Sequence, residues 1–235
     1  MIAANKPLGA RINANHPINK GLVGCWLLNE GAGTIAKDLA GNNNGTLTNF
    51  GLSGITSNWR PTPYGGGLNF DGSNDFISIT NSTILSSSIG TWSGMINGVK
   101  NTLNCFISKM TSVSGYGINI YLGSTGRISV QFHSAIGGNL LQLNSDINQD
   151  GKWVYWALTF NGTNTAYLYI NGVQVASGSP AAWPGFDTSN LLLGKSTDPF
   201  WNLFQGSLSD VMIWNRALTQ NEVQQLYTNP HIGLI

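Results

Sequence analysis

Residues 153–177, WVYWALTF-NGTNT-AYLYI-NG-VQVAS, leave this chain few choices of fold. Apolar and polar side chains alternate through three short runs, and an Asn-Gly pair separates the last two. Asn-Gly between alternating runs is the strongest short hairpin signal, because both central residues of the tight turn must take positive φ. The same period of two runs through GGLNFDGSNDFISIT (66–80), NCFISKM and YGINIYLGSTGRISVQFH, with Asp71-Gly72 and GSTG as turns. NLLLGKS and SLSDVMIW add further strands, and GLVGCWLL (21–28) is apolar on both faces, as a central strand would be. About a dozen short strands at hairpin spacing predict an all-β, two-sheet antiparallel sandwich or jelly roll.

One helix stands out near the end. In LTQNEVQQLY, Thr219 and Glu222 form a capping box, and Leu218 and Val223 occupy the staple positions. No linker or charge run divides the 235 residues, so 21–235 reads as a single domain with one short C-terminal helix. Residues 1–20, polar and interrupted by Pro7 and Pro17, read as an extended N-terminal arm. A domain of this size buries roughly 70% of its unfolded surface and needs neither disulfide nor metal to hold a core. Cys25 and Cys105 lie in apolar runs and read as buried thiols, although a bridge between them is geometrically open.

Charge narrows the functions. Charged residues are 9% of the chain, against roughly 25% in a typical soluble domain, and the net charge is +1 with no basic run. Neither nucleic acid nor an anionic membrane is an indicated partner. A neutral surface of Asn, Ser, Thr and Gly suits a glycan or an assembly contact instead. The N-terminus has no apolar stretch of signal-peptide length and nothing later resembles a membrane span.

Taken together, GLVGCWLLNEGAGTIAKDLAGNNNGTL, LNFDGSNDFISI and the segment from WVYWALTF to NEVQQLY resemble the concanavalin A-like, laminin-G-like (LamG-like) jelly-roll family over residues 21–228. The resemblance implies a lectin-like fold and one structural calcium, held by Asp38, the carbonyl of Asn43, and Asp210. SDV stands where family members often carry Asp-Glu-Val. The residues themselves allow a second reading of DLAGNNNG, a turn in which Asp38 accepts local backbone N–H groups. The HPINKGLVGCWLLNEG opening resembles phage-encoded members. That implies a virion-surface protein, a capsid decoration or tail fibre made in the host cytoplasm and bound to other virion proteins or to its own copies.

Glycosidase chemistry needs two carboxylates flanking the scissile bond. The two glutamates are a helix cap, Glu222, and an isolated turn residue, Glu30. Asp71 and Asp75 flank a turn, and His16, His133 and His231 are scattered. The chain therefore reads as non-catalytic: an adhesion or recognition module binding glycans or other cell-surface ligands, with a purely structural capsid role as the alternative and a glycoside hydrolase or lyase the weaker one. Trp26, Trp153, Trp156 and Trp214 lie in strong strands and read as core. Trp59, Trp183 and Trp201 lie in Pro- or Gly-rich loops, and Trp183 and Trp201 with Asn202 are the candidate carbohydrate site, a flat ring covering a pyranose face while the amide bonds hydroxyls.

Overall fold

The computed structural model describes residues 6, 9–52, 58–100, 103–111, 115–134, 138–146, 148–161, 165–180 and 185–235. In chain order the strands are β1 (Leu22–Trp26), β2 (Ile35–Ala36), β3 (Gly45–Thr48), β4 (Trp59–Thr62), β5 (Gly65–Asp71) and β6 (Phe76–Ile79). There follow β7 (Ile89–Gly98), β8 (Asn104–Lys109), β9 (Gly117–Leu122), β10 (Ile128–His133), β11 (Asn139–Asn144) and β12 (Trp153–Asn161). β13 (Ala166–Ile170), β14 (Val173–Gly178), β15 (Leu191–Leu193), β16 (Asn202–Leu203) and β17 (Gln205–Trp214) precede the helix α1 (Gln220–Thr228).

They form two sheets. The first runs β14-β13-β12-β7-β17-β5-β4, with β1 also on β17; the second runs β11-β10-β9-β8-β15-β6-β3-β2, with β16 on β8. Trp26, Phe70, Phe106, Phe132, Trp156 and Phe204 fill the space between them. The hairpins β12-β13-β14 form as predicted, with a register shift between Leu168 and Tyr169, and Asn171 (φ 52°) and Gly172 (φ 77°) take the left-handed conformations of the tight turn. The Asp71-Gly72 turn is different: β5 and β6 join different sheets, so this turn is a corner of the sandwich and not a hairpin.

Two expectations change. β1 is not central, since β17 is its one strand partner among the described residues. Its outward residues are apolar because chain covers them. β7, the long central strand IGTWSGMING, carries no obvious strand pattern because glycines interrupt it. A Cβ at Gly90 would lie 2.9 Å from the Phe160 ring, and one at Gly98 would lie 2.9 Å from the Phe204 ring. These glycines seat aromatic side chains that a larger residue would displace.

The cover over the first sheet comes from both ends of the chain. Ile18 of the N-terminal segment and Leu218, Val223 and Leu226 around α1 pack on Cys25, Met95, Tyr155, Met212 and Trp214. Full burial of four such apolar side chains contributes on the order of 6–12 kcal/mol before entropy is charged against it. Trp214 Nε1 donates to Ile18 O at 2.7 Å, and Arg11 N and Ile235 N each donate to the other's carbonyl, at 2.8 and 3.0 Å. The segment expected to extend away as an arm is thus, from residue 9 on, sewn to the C-terminal tail. Thr219 and Glu222 form the predicted capping box, and Glu222 also pairs with Arg216 at 2.7 Å.

Candidate functional site

The DLAGNNNG loop closes the open edge of β1. Asp38 Oδ1 accepts from Cys25 N and Ala40 N, both at 2.9 Å. Its Oδ2 accepts from Asn43 N at 3.1 Å and Asn43 Nδ2 at 3.0 Å. Leu39 N returns a bond to Cys25 O at 2.9 Å. The loop therefore stands in for a missing strand, and without it the backbone groups of β1 would be unpaired.

Asp210 has a different set of partners. A bulge in β17 between Ser209 and Met212 puts it at φ 55°, where its carboxylate meets Lys6 Nζ at 3.4 Å and His231 Nε2 at 3.0 Å. Ser209 Oγ donates to its second oxygen at 2.5 Å. Lys6 Nζ also donates to the carbonyls of Leu27 and Gly66. Burial lowers the Lys6 pKa, and the Asp210 charge opposes that shift. One residue from the N-terminal segment and one from the tail thus close on a single buried carboxylate.

The expected calcium ligands do not fit a calcium site in this arrangement. Asp38 is filled by N–H donors, the Asn43 carbonyl accepts Trp26 Nε1 at 2.9 Å, and Asp210 faces a cation and an imidazole. Among the described residues no three His, Cys, Asp or Glu side chains gather as a metal set. Cys25 and Cys105 are free, fully buried thiols in separate clusters, one on the outer side of each sheet. Burial raises both thiol pKa values.

The outer face of the second sheet is where polar side chains collect. Strand register aligns Thr46, Ser78, Leu192, Ser108, Asn119, Gln131 and Gln142 in one row across seven strands. Beside this row stand Tyr121, Ser129 and Asn144. Gln142 Nε2 donates to Tyr121 Oη at 2.9 Å, and Ser129 Oγ donates to Asn144 Oδ1 at 2.7 Å. The centre of the row lies beneath the 196–201 turn. With the Asn119 amide oxygen facing the indole, Trp201 Nε1 donates to it at 3.0 Å while Asn119 Nδ2 donates to Ser108 Oγ at 2.6 Å.

Trp201, expected as an exposed sugar platform, is only 6% exposed. Its ring sits 4.5 Å from Tyr121 and 6.4 Å from His133. The exposed ring is its neighbour Phe200, 68% accessible and 5.7 Å from Trp201. Asn202 is exposed at the start of β16, where it pairs with Asn104. Trp183 lies outside the described residues. Trp59, the third loop tryptophan, is core at 8% exposure. Gln131, half-buried beside this turn, has an Oε1 with no hydrogen-bond partner among the described residues. Burial lowers the pKa of His133, which keeps the ring neutral near pH 7, with Asp198 opposing the shift.

The described carboxylates are committed to structure in the main. Asp71 accepts the N–H groups of its own turn, Ser73 at 2.7 Å and Asn74 at 3.2 Å, and Glu222 caps α1. Asp187 accepts from Thr111 and Ser189. No described helix is long and apolar enough to cross a membrane.

Comparison with known proteins agrees with this architecture. The binding domain of Paraclostridial Mosquitocidal Protein 1 superposes with a TM-score of 0.70 at 18% identity, over 92% of this chain and 53% of that one. Domain 4 of AbnA, a GH43 extracellular arabinanase from Geobacillus stearothermophilus solved with arabinotriose, gives 0.68 at 19%, over 88% and 98%. A botulinum neurotoxin type C structure, from a toxin whose cell entry is described as dependent upon interaction with two ganglioside molecules, gives 0.66 at 15%, over 90% and 51%. The chain thus spans about half the length of the toxin structures and nearly all of the arabinanase domain. No curated protein sequence matches. The sequence profile of the concanavalin A-like lectin/glucanases superfamily (Laminin_G_3) matches residues 71–224, more than half the chain. With that match and the two-sheet sandwich, the chain belongs to the concanavalin A-like lectin/glucanase superfamily.

Proposed function

We propose that this chain is a non-catalytic carbohydrate-recognition module whose sugar lies on the outer face of the second sheet, against Phe200. The observation that carries the reading is the exposure of Phe200, next to Trp201 in the turn that packs on the outer face of the second sheet, a face that also carries the amides Gln131, Gln142 and Asn144. A ring of that kind covers the apolar face of a pyranose or furanose, and amides both donate to and accept from hydroxyls. The arabinotriose in the similar arabinanase domain lends support to a sugar as ligand. The non-catalytic part of the proposal rests on the carboxylates, which serve turns, caps and ion pairs and do not face one another across this shelf. The calcium implied by the family resemblance does not enter the proposal, because its expected ligands are otherwise engaged. A virion setting and an assembly-bound state rest on the resemblance of the opening segment alone.

Titration with neutral oligosaccharides, arabinotriose first, tests this by calorimetry. Binding that falls about tenfold or more in Phe200→Ala, with unchanged melting, is the expected result. Binding untouched by Phe200→Ala and Gln131→Ala together would move the site elsewhere. Release of reducing sugar on incubation would overturn the non-catalytic reading.

A further inference from the structure

A second surface, remote in kind from the Phe200 shelf, carries three of the five cations that have no partner among the described residues. A cleft of about 740 Å³ is lined by Lys6, Arg11, Asn29, Glu30, Lys37 and, from β5, Gly65 and Gly66. A second cleft of about 510 Å³ shares Asn29, Gly65 and Gly66 with it and adds Trp59, Arg60 and Thr62. The two therefore form one groove between the N-terminal segment, the exit of β1 and the β4–β5 hairpin. Its floor is bare backbone: a Cβ at Gly66 would lie 2.9 Å from Asn29 Cα, and one at Gly67 would lie 2.5 Å from Thr62 Cγ2. The combined size is that of an oligosaccharide-sized ligand site.

The chain has 11 lysines and arginines. Lys6, Lys100, Lys109, Lys152, Lys195 and Arg216 have a carboxylate, carbonyl, amide or aromatic partner. The side chains of Arg11, Lys20, Lys37, Arg60 and Arg127 make no hydrogen bond or ion pair among the described residues, and three of these five line the groove. Arg60 stands on the edge strand β4 and is exposed, since its neighbour Trp59 points into the core. Arg11 and Lys37 are exposed on the opposite wall. The one acid in the lining is Glu30, whose Oε1 accepts from Lys37 N at 2.7 Å. Lys6 is already answered by Asp210. Three such cations against a single carboxylate leave the lining net positive, which favours an anionic ligand.

We infer that this groove binds a glycan bearing acidic groups, carboxylate or sulfate, with Arg11, Lys37 and Arg60 meeting the charges and Asn29 and Thr62 meeting the hydroxyls. Polar uncharged residues interleave with the cations, as a hydroxyl-rich ligand needs. Nucleic acid fits less well, because Trp59 is buried and offers no stacking face for a base.

The test is calorimetric titration with four probes: oligogalacturonate, heparin-derived oligosaccharide, neutral dextran oligosaccharide and a DNA duplex. The two acidic probes should differ in affinity, the tighter naming the acid group, and both should weaken as salt is raised. A Lys37→Ala, Arg60→Ala double variant should lose about tenfold or more in affinity for the tighter probe. A Lys20→Ala, Arg127→Ala double variant, which removes equal charge outside the groove, should change it by less than about twofold. Phe200→Ala should leave acidic binding intact, which separates this site from the shelf on the second sheet. Failure of both acidic probes to bind, equal loss in the two double variants, dextran binding as tight as the acidic probes, or tighter binding of a DNA duplex through Lys37 and Arg60 would each overturn the inference.

Discussion

The outer faces of the two sheets were built to different ends. On the first sheet, Cys25, Met95, Tyr155, Met212 and Trp214 point outward and are buried under the two chain ends and α1. On the second, the outward row runs through Thr46, Ser78, Ser108, Asn119, Gln131 and Gln142, and its flanks are open. A sheet covered on both sides needs apolar residues at successive positions, whereas a sheet open on one side alternates. LVGCW and VMIW follow the first rule, and ISVQFH follows the second. The covered face therefore serves stability, and the flanks of the open face stay in contact with solvent.

The comparison breaks hardest at the clasp that holds the cover. Asp210→Ala leaves the Lys6 ammonium buried without its charge partner, and removal of one member of such a pair costs about 3–5 kcal/mol. Guanidinium denaturation should show that loss; a loss below about 1 kcal/mol would mean the clasp holds nothing.

On the open face, two adjacent rings should behave oppositely. Trp201→Ala empties a packed position between Tyr121 and His133 and should cost about 3 kcal/mol. Phe200→Ala should cost less than about 0.5 kcal/mol, because the ring is already in water. Equal costs would mean that the turn packs as one unit.

A smaller effect is expected at the edge of β1. Asp38→Ala strips partners from the N–H groups of Cys25, Ala40 and Asn43 and should cost about 2 kcal/mol. Millimolar calcium should leave the melting temperature of the unaltered chain where it was. A rise with calcium concentration would show a bound ion and restore Asp38, Asn43 and Asp210 as its candidates.

The smallest effect is a pH dependence at the corner between the sheets. Burial raises the Asp75 pKa from 3.8 to about 6, with the Asp71 charge adding to it and hydrogen bonds from Asp71 N and Asn58 opposing it. Between those values the folded chain binds more protons than the unfolded one, so this group's contribution is full below about pH 4 and is lost as pH rises through about 6. Asp75→Asn should flatten stability across that window, as followed by denaturation midpoints; an unchanged slope would place its origin in another group.

Much of this was legible. Asn171-Gly172 dictated its turn, Thr219 and Glu222 dictated the helix start, and alternation placed β9, β10, β12, β13 and β17. β7 was not legible, because its glycines answer to aromatic rings supplied by distant strands. For the site, the sequence singled out Trp201 and Asn202, and the structure buries Trp201 while leaving its neighbour Phe200 exposed. Size and loop context favoured the tryptophan, while exposure, which only packing reveals, belongs to Phe200.

By itself the sequence determined what depends on neighbours along the chain: turn geometry, capping, the period of two, and the scarcity of charge. Tertiary structure alone decided which strands lie side by side. It thereby turned single polar residues on six strands into one row, interrupted by Leu192, and brought Arg11, Lys37 and Arg60 to the linings of two adjoining clefts. It also gave Asp38 to the edge of β1 and Asp210 to Lys6 and His231. The physical reason is the same in each case. A local pattern fixes which way a side chain points, but what it meets there is set by chain arriving from elsewhere.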